Sequence, residues 1–233
     1  VFDDREHPVR ETSPRLIDTT GDELLRNSDD YCIYKARGEN ILHAFPRRNW
    51  TIVRPAITYS KFRYQLVTLE APVLIARALA GLPVVLPREA LAVQGTMNWA
   101  GDVARMFSRL LFNPAAVREC FTLATAEHHA WGEIAEYYKE IIGLEYVAAD
   151  TEDYIEIMGG SCWARYQLNY DRMFNRVVDN SKLLRVTGLR QEELMPLRQG
   201  LERELAALPR NTVWPDAGAV WKRMDDYLKK HRS

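Results

Sequence analysis

Apolar residues recur at helical spacing in some stretches of the chain and gather into short β-branched runs in others. Val103, Met106, Phe107, Leu110 and Leu111 return every three to four positions and predict an amphipathic helix over Asp102–Phe112, ended by Asn113-Pro114. Leu74, Ile75, Ala78 and Leu79 place a second helix at Glu70–Ala80, which Gly81 and Pro83 stop. Trp131–Ile142 repeats the pattern up to Gly143, and further helices are read at Asp171–Val178, Glu192–Leu208 and Ala219–Lys230. A helix with Asp29 or Asp30 as its cap runs to about Phe45, where Pro46 closes it. Between these lie runs that read as strands: Trp50–Pro55, Cys120–Leu123 and Tyr146–Ala148, with Pro83–Pro87 as a short extended piece. Residues 3–29 are rich in Pro, Asp, Arg, Thr and Ser and read as a long surface loop.

A helix feeding a buried strand at Trp50–Pro55 is the alternation of a parallel sheet, so the fold class is α/β. Residues 1–60 read as the later part of a sheet with the Tyr31 helix packed on it. Residues 61–233 read as a mainly helical lobe with short returns to the sheet. Composition agrees with a globular chain: 47% hydrophobic and 27% charged residues over 233 positions. The 31 basic and 32 acidic residues leave a net charge of −1, which argues against nucleic acid or an anionic membrane surface as a partner. No apolar run approaches the ~20 residues of a membrane span. The three cysteines, Cys32, Cys120 and Cys162, are far apart and odd in number, which points to a reducing, cytoplasmic setting. The chain begins at Val1 without a signal-like segment, its Val1-Phe2 start reads as the end of a strand, and it reads as a piece of a longer protein.

One pair carries chemistry. Tyr31 and Lys35 stand four apart and share a helix face one turn apart. An ammonium beside a phenol favours the phenolate, and such a tyrosine can exchange a proton with a substrate hydroxyl. Cys32 lies about 100° round the helix from Tyr31 and reads as buried filler. His128-His129 has no third ligand at metal spacing, so no metal is expected.

The order of motifs resembles the later part of an extended short-chain dehydrogenase/reductase, the NAD-dependent epimerase/dehydratase family. Its active-site helix carries Tyr-x-x-x-Lys with a Glu four residues on, here Tyr31, Lys35 and Glu39. An Arg-Pro strand end follows, here Arg54-Pro55-Ala56-Ile57-Thr58-Tyr59-Ser60, then Asp102-Val103-Ala104 and a terminal Asp179-Asn180-Ser181-Lys182. The resemblance implies a partial Rossmann-like fold plus a mostly helical substrate lobe, with NAD or NADP as cofactor. Tyr31 would act as base, and Lys35 would hold the nicotinamide ribose. Pro55, Ala56 and Ile57 would line the nicotinamide through backbone contacts.

The chain also departs from the family. No glycine-rich phosphate turn occurs anywhere in it, and the adjacent pair Gly159-Gly160 lies far past the Tyr31 helix. The resemblance therefore implies that about the first third of the usual protein, with its catalytic Ser or Thr, lies outside these residues and that the piece alone is inactive. Ile57 stands where many nucleotide-sugar members have Asn, and Gly95 where many place an Arg for the diphosphate. Arg63 and Arg105, or Arg77, are candidate replacement cations for a sugar or nucleotide-sugar substrate. The resemblance further implies a homodimer through the Tyr-bearing helix, and the open sheet edge implies pairing with a copy or with the absent part. The alternative is a non-catalytic, cofactor-sensing protein on the same fold.

Overall fold

Asp30 decides where the Tyr31 helix begins: its carboxylate accepts from the Cys32 backbone N–H at 3.0 Å. The helix spans Tyr31–Ala44 and buries Cys32, Ile33 and Ala36. It stops at Phe45, whose backbone is extended, as Pro46 next in sequence requires. The computed structural model describes residues 2–209 and 211–231, so Val1 of the Val1-Phe2 start lies outside the described residues.

The chain divides into two interleaved units. The first holds Val1–Thr58, Thr96–His128 and Phe174–Pro196; the second holds Tyr59–Gly95, His129–Met173 and Leu197–Ser233. In the first unit, the strand Ile52–Pro55 runs parallel to Cys120–Leu123 with Ile52 opposite Cys120 and Pro55 opposite Leu123. The helices Ala100–Leu110 and Ser181–Thr187 cover this pair, and Met106, Leu110, Phe121, Leu123 and Leu183 form its core. The helix read over Asp102–Phe112 therefore starts and ends two residues earlier. Its buried face is narrower than the apolar stripe implies, because Phe107 and Leu111 face solvent.

In the second unit, Val84–Pro87 pairs in parallel with Tyr146–Ala149, Tyr146 opposite Val84. Helices Ala71–Leu79, Trp131–Ile142 and Thr151–Ile157 accompany it, followed by Leu197–Ala206 and Gly218–Lys230. Gly143 ends the Trp131 helix with φ 71°, a left-handed turn that glycine adopts without strain. No described helix is long and apolar enough to cross a membrane.

Three expectations are corrected. Residues 3–29 are not one loop: they contain the short helices Leu16–Thr19 and Glu23–Asn27, and Val9, Leu16 and Leu25 are buried. The helix expected at Asp171–Val178 does not form past Arg172. The backbone there bonds to the N-terminal segment instead, Val9 N–H to the Val177 carbonyl at 2.7 Å and Asn175 N–H to Asp4 at 2.8 Å. The long helix expected at Glu192–Leu208 is broken at Pro196 into a turn at Gln191–Glu193 and the helix Leu197–Ala206. Thr151–Ile157, Cys162–Gln167 and Ser181–Thr187 are helices that the periodicity did not indicate.

Candidate active site

Tyr31 opens its helix with the ring 59% exposed, and Lys35 follows one turn on, also exposed. The Lys35 ammonium lies over the Tyr31 ring, 5.5 Å from its centroid. Neither side chain has a hydrogen-bond or ion-pair partner among the described residues, so both are available to a ligand. Lys35 also borders a shallow cleft with Phe2, Arg15, Ala36, Glu39 and Arg54.

Beneath this pair the helix is fixed to the strand by charge. Arg54 donates from Nε to one Glu39 oxygen at 2.7 Å and from Nη2 to the other at 2.8 Å. Arg15 adds a third bond to Glu39 at 3.1 Å and reaches Asn40 at 2.8 Å. Burial alone would raise the Glu39 carboxyl, but the Arg54 and Arg15 donors outweigh it and hold it below the usual carboxylate range. Arg54 also donates to the Glu11 carbonyl at 3.1 Å, and Glu11 Oε1 accepts from Thr122 N–H at 2.7 Å. The i+8 spacing of Glu39 from Tyr31 was visible in the sequence; the part played by Arg15 and Glu11 was not, since both lie in the segment read as loop.

Pro55 ends the strand Ile52–Pro55, and Ala56 and Ile57 follow it. Pro55 is exposed, Ala56 N–H donates to the Leu123 carbonyl at 3.2 Å, and Ile57 starts the next strand, Ile57–Tyr59. Asn98 holds the neighbouring strand end by donating to the Leu123 carbonyl at 3.0 Å and accepting from Thr125 N–H at 2.7 Å. The Asp179-Asn180-Ser181-Lys182 segment is structural in the same way. Asn180 donates to the Ala124 carbonyl at 3.0 Å, Lys182 to the Cys120 carbonyl at 2.8 Å, and Asp179 pairs with Arg10 at 2.9 Å.

The candidate substrate cations fare differently. Arg63 is exposed in the second unit, its backbone turned against Ser60. Arg105, in the first unit, pairs with Asp102 and donates to the Glu193 carbonyl at 2.6 Å. Arg77 is wholly buried and pairs with Asp225 at 2.7 Å, which removes it as a substrate cation. Gly95 lies against the Trp131 ring: a Cβ there would meet the ring at 2.9 Å. A longer side chain at that position would run into the ring.

Burial, reinforced by Asp30 at 2.9 Å from the sulfur, pushes the Cys32 thiol up to about 12, the behaviour of an inert core residue. Among the described residues no three His, Cys, Asp or Glu side chains gather as a metal site.

No protein-family model and no curated protein matches the sequence. Solved structures do. The UDP-glucose 4-epimerase of Thermotoga maritima with UDP-glucose superposes with a TM-score of 0.57 at 17% identity, over 76% of this chain and 52% of that one. The Thermus thermophilus UDP-glucose 4-epimerase complex with NAD gives 0.54 at 19% identity, over 78% and 53%. The Bacillus cereus UDP-glucuronic acid 4-epimerase in complex with UDP-glucuronic acid and NAD gives 0.58 at 16%, over 76% and 51%. The chain thus spans about half the length of the structures it matches, and over that half it has the α/β fold of the UDP-sugar 4-epimerases.

Proposed function

We propose that the complete protein is an NAD(P)-dependent epimerase, dehydratase or reductase acting on a hydroxyl or keto group of a sugar-type substrate. The observation that carries this reading is the exposed Tyr31–Lys35 pair at the head of a helix clamped to its strand by Glu39 and Arg54. The fold shared with epimerases that bind NAD and UDP-sugars supports it.

The residues present fit a nicotinamide cofactor: an unpartnered phenol and ammonium share one face, and the strand end at Pro55 offers backbone rather than bulky side chains. The bound cofactor would supply a ring that accepts or returns a hydride. Tyr31 takes the proton of the substrate hydroxyl on its phenolic oxygen and returns it when the carbonyl is reduced. Lys35 binds a ribose hydroxyl through its ammonium, one helical turn from the Tyr31 ring. Pro55, Ala56 and Ile57 wall the nicotinamide side. Of the cations considered for a substrate phosphate, Arg63 and Arg105 are both exposed, and Arg105 already pairs with Asp102. Tyr34 and Ile41, exposed on the same helix, and Phe45, exposed at its end, support its pairing with another chain.

Tyr31→Phe in the complete protein tests the assignment. Turnover should fall by roughly 10²–10⁴-fold, the usual scale of general acid–base catalysis, with cofactor affinity little changed. Lys35→Ala should lower both. A Tyr31→Phe protein with normal turnover rejects the catalytic role, and cofactor binding without any turnover favours a sensing protein.

A further inference from the structure

The first unit has a second pocket, at the other end of its parallel strands. Trp50 and Arg118 stand just before Ile52–Pro55 and Cys120–Leu123, and Arg118 N–H donates to the Trp50 carbonyl at 2.7 Å. Pro55 and Leu123 close the opposite ends of the same two strands. His43, also at this pocket, lies roughly 18 Å along the helix axis from Tyr31 at 1.5 Å per residue. The pocket is therefore separate from the candidate active site.

His43, Arg48, Trp50 and Arg118 line it, and no carboxylate does. By contrast, Arg10, Arg15, Arg54, Arg77 and Arg165 each face an Asp or Glu. Arg48 and Arg118 have no side-chain partner among the described residues. The Trp50 indole N–H is buried without a partner as well, and His43 meets the Trp50 ring edge-on with centroids 4.8 Å apart. An unsatisfied buried donor is costly, and two unpaired guanidinium groups raise the local positive potential.

The geometry points to an anion site here for a phosphate group carried by a small molecule. A guanidinium fork matches two oxygens of an oxyanion. A carboxylate has two oxygens and satisfies one fork. Two forks and an indole N–H together match a group with three terminal oxygens, as a phosphate monoester has. This inference is independent of the role of Tyr31.

The test is a titration of the chain with inorganic phosphate, and separately with acetate, at low ionic strength. The reporter is the Trp50 indole N–H signal, identified among the six tryptophans by its loss in Trp50→Phe. Phosphate should shift that signal saturably while acetate shifts it far less. The exposed pair Arg48→Gln and Arg118→Gln together should weaken phosphate binding by at least ~10-fold, since charged hydrogen bonds are lost, while the melting temperature holds. A Trp50 signal that ignores phosphate, answers acetate equally, or keeps its affinity in the double variant overturns the site.

Discussion

Glu39 lies about two helical turns beyond Tyr31 and receives both prongs of the Arg54 guanidinium, so the Tyr31 helix and its strand share one charge-paired joint. The Glu39, Arg54 and Arg15 side chains are 15–18% exposed. Removing the carboxylate in Glu39→Ala leaves two largely buried cations facing each other. The expected loss is about 3 kcal/mol, read from urea unfolding with the slope unchanged.

The same joint sets a pH dependence. The Glu39 carboxyl is held below its unfolded value, so its contribution is complete above the unfolded pKa of about 4.3 and disappears as pH falls through the folded value. The stability gap between the native chain and Glu39→Gln should therefore be flat from pH 7 to pH 5 and shrink below pH 4. A gap that persists unchanged at pH 2.5 would show that the charge of Glu39 does not carry the joint.

Local signals were enough for elements whose ends are set by neighbouring residues. Asp30 and Pro46 bounded the Tyr31 helix, Gly143 bounded the Trp131 helix, a β-branched run marked Ile52–Pro55, and a short, mostly apolar run marked its partner Cys120–Leu123. What the sequence did not disclose depends on distant partners. Residues 174–178 have a helical pattern but bond to the segment around Val9, and Arg77 looks like a surface cation until Asp225, 148 positions away, closes over it. The candidate site divides likewise: Tyr31 and Lys35 were legible from i, i+4 spacing and Glu39 from the family resemblance, whereas Arg15 and Glu11 reach it only through folding of the N-terminal segment.

Arg77 offers a test of such a distant pair. Its guanidinium donates to the Pro83 carbonyl at 2.9 Å and to Asp225 at 2.7 Å, and lies 5.2 Å from the Trp221 ring centroid. Asp225→Ala should cost about 2 kcal/mol, less than for a fully buried pair because Asp225 is 41% exposed. Combining it with Arg77→Met should recover most of the loss, since an apolar side chain leaves no orphaned charge. Thermal unfolding of the three variants decides; a double variant less stable than Asp225→Ala contradicts the account.

Gly95 is expected to be sensitive to a single methyl. The Trp131 ring it touches is buried and is anchored by its indole N–H to the Arg172 carbonyl at 3.2 Å, so it cannot easily move aside. Gly95→Ala should destabilise by about 2 kcal/mol through overpacking, with a change in near-UV circular dichroism from the displaced ring. Gly21, with no atom within 4 Å of a built Cβ, provides the control: Gly21→Ala should be close to neutral.

Cofactor affinity separates the two ends of a dinucleotide site. In the proposed site, Tyr31, Lys35 and the Pro55 strand end would address the nicotinamide half. The pyrophosphate is held in Rossmann folds by backbone N–H groups of a glycine-rich turn at a helix N-terminus, and the 233 residues contain no such turn. An ammonium and a backbone wall alone leave most of the ligand in water, so the 233-residue chain should bind NAD(H) or NADP(H) with a Kd of ~1 mM or weaker. The complete protein should bind at least one of them far more tightly, and Lys35→Ala there should weaken that binding. Calorimetric titration of both forms with both cofactors measures the difference. Micromolar binding by the 233 residues alone would mean that their own donors hold the diphosphate, and the assignment of Tyr31 and Lys35 to only half of a larger site would have to be given up.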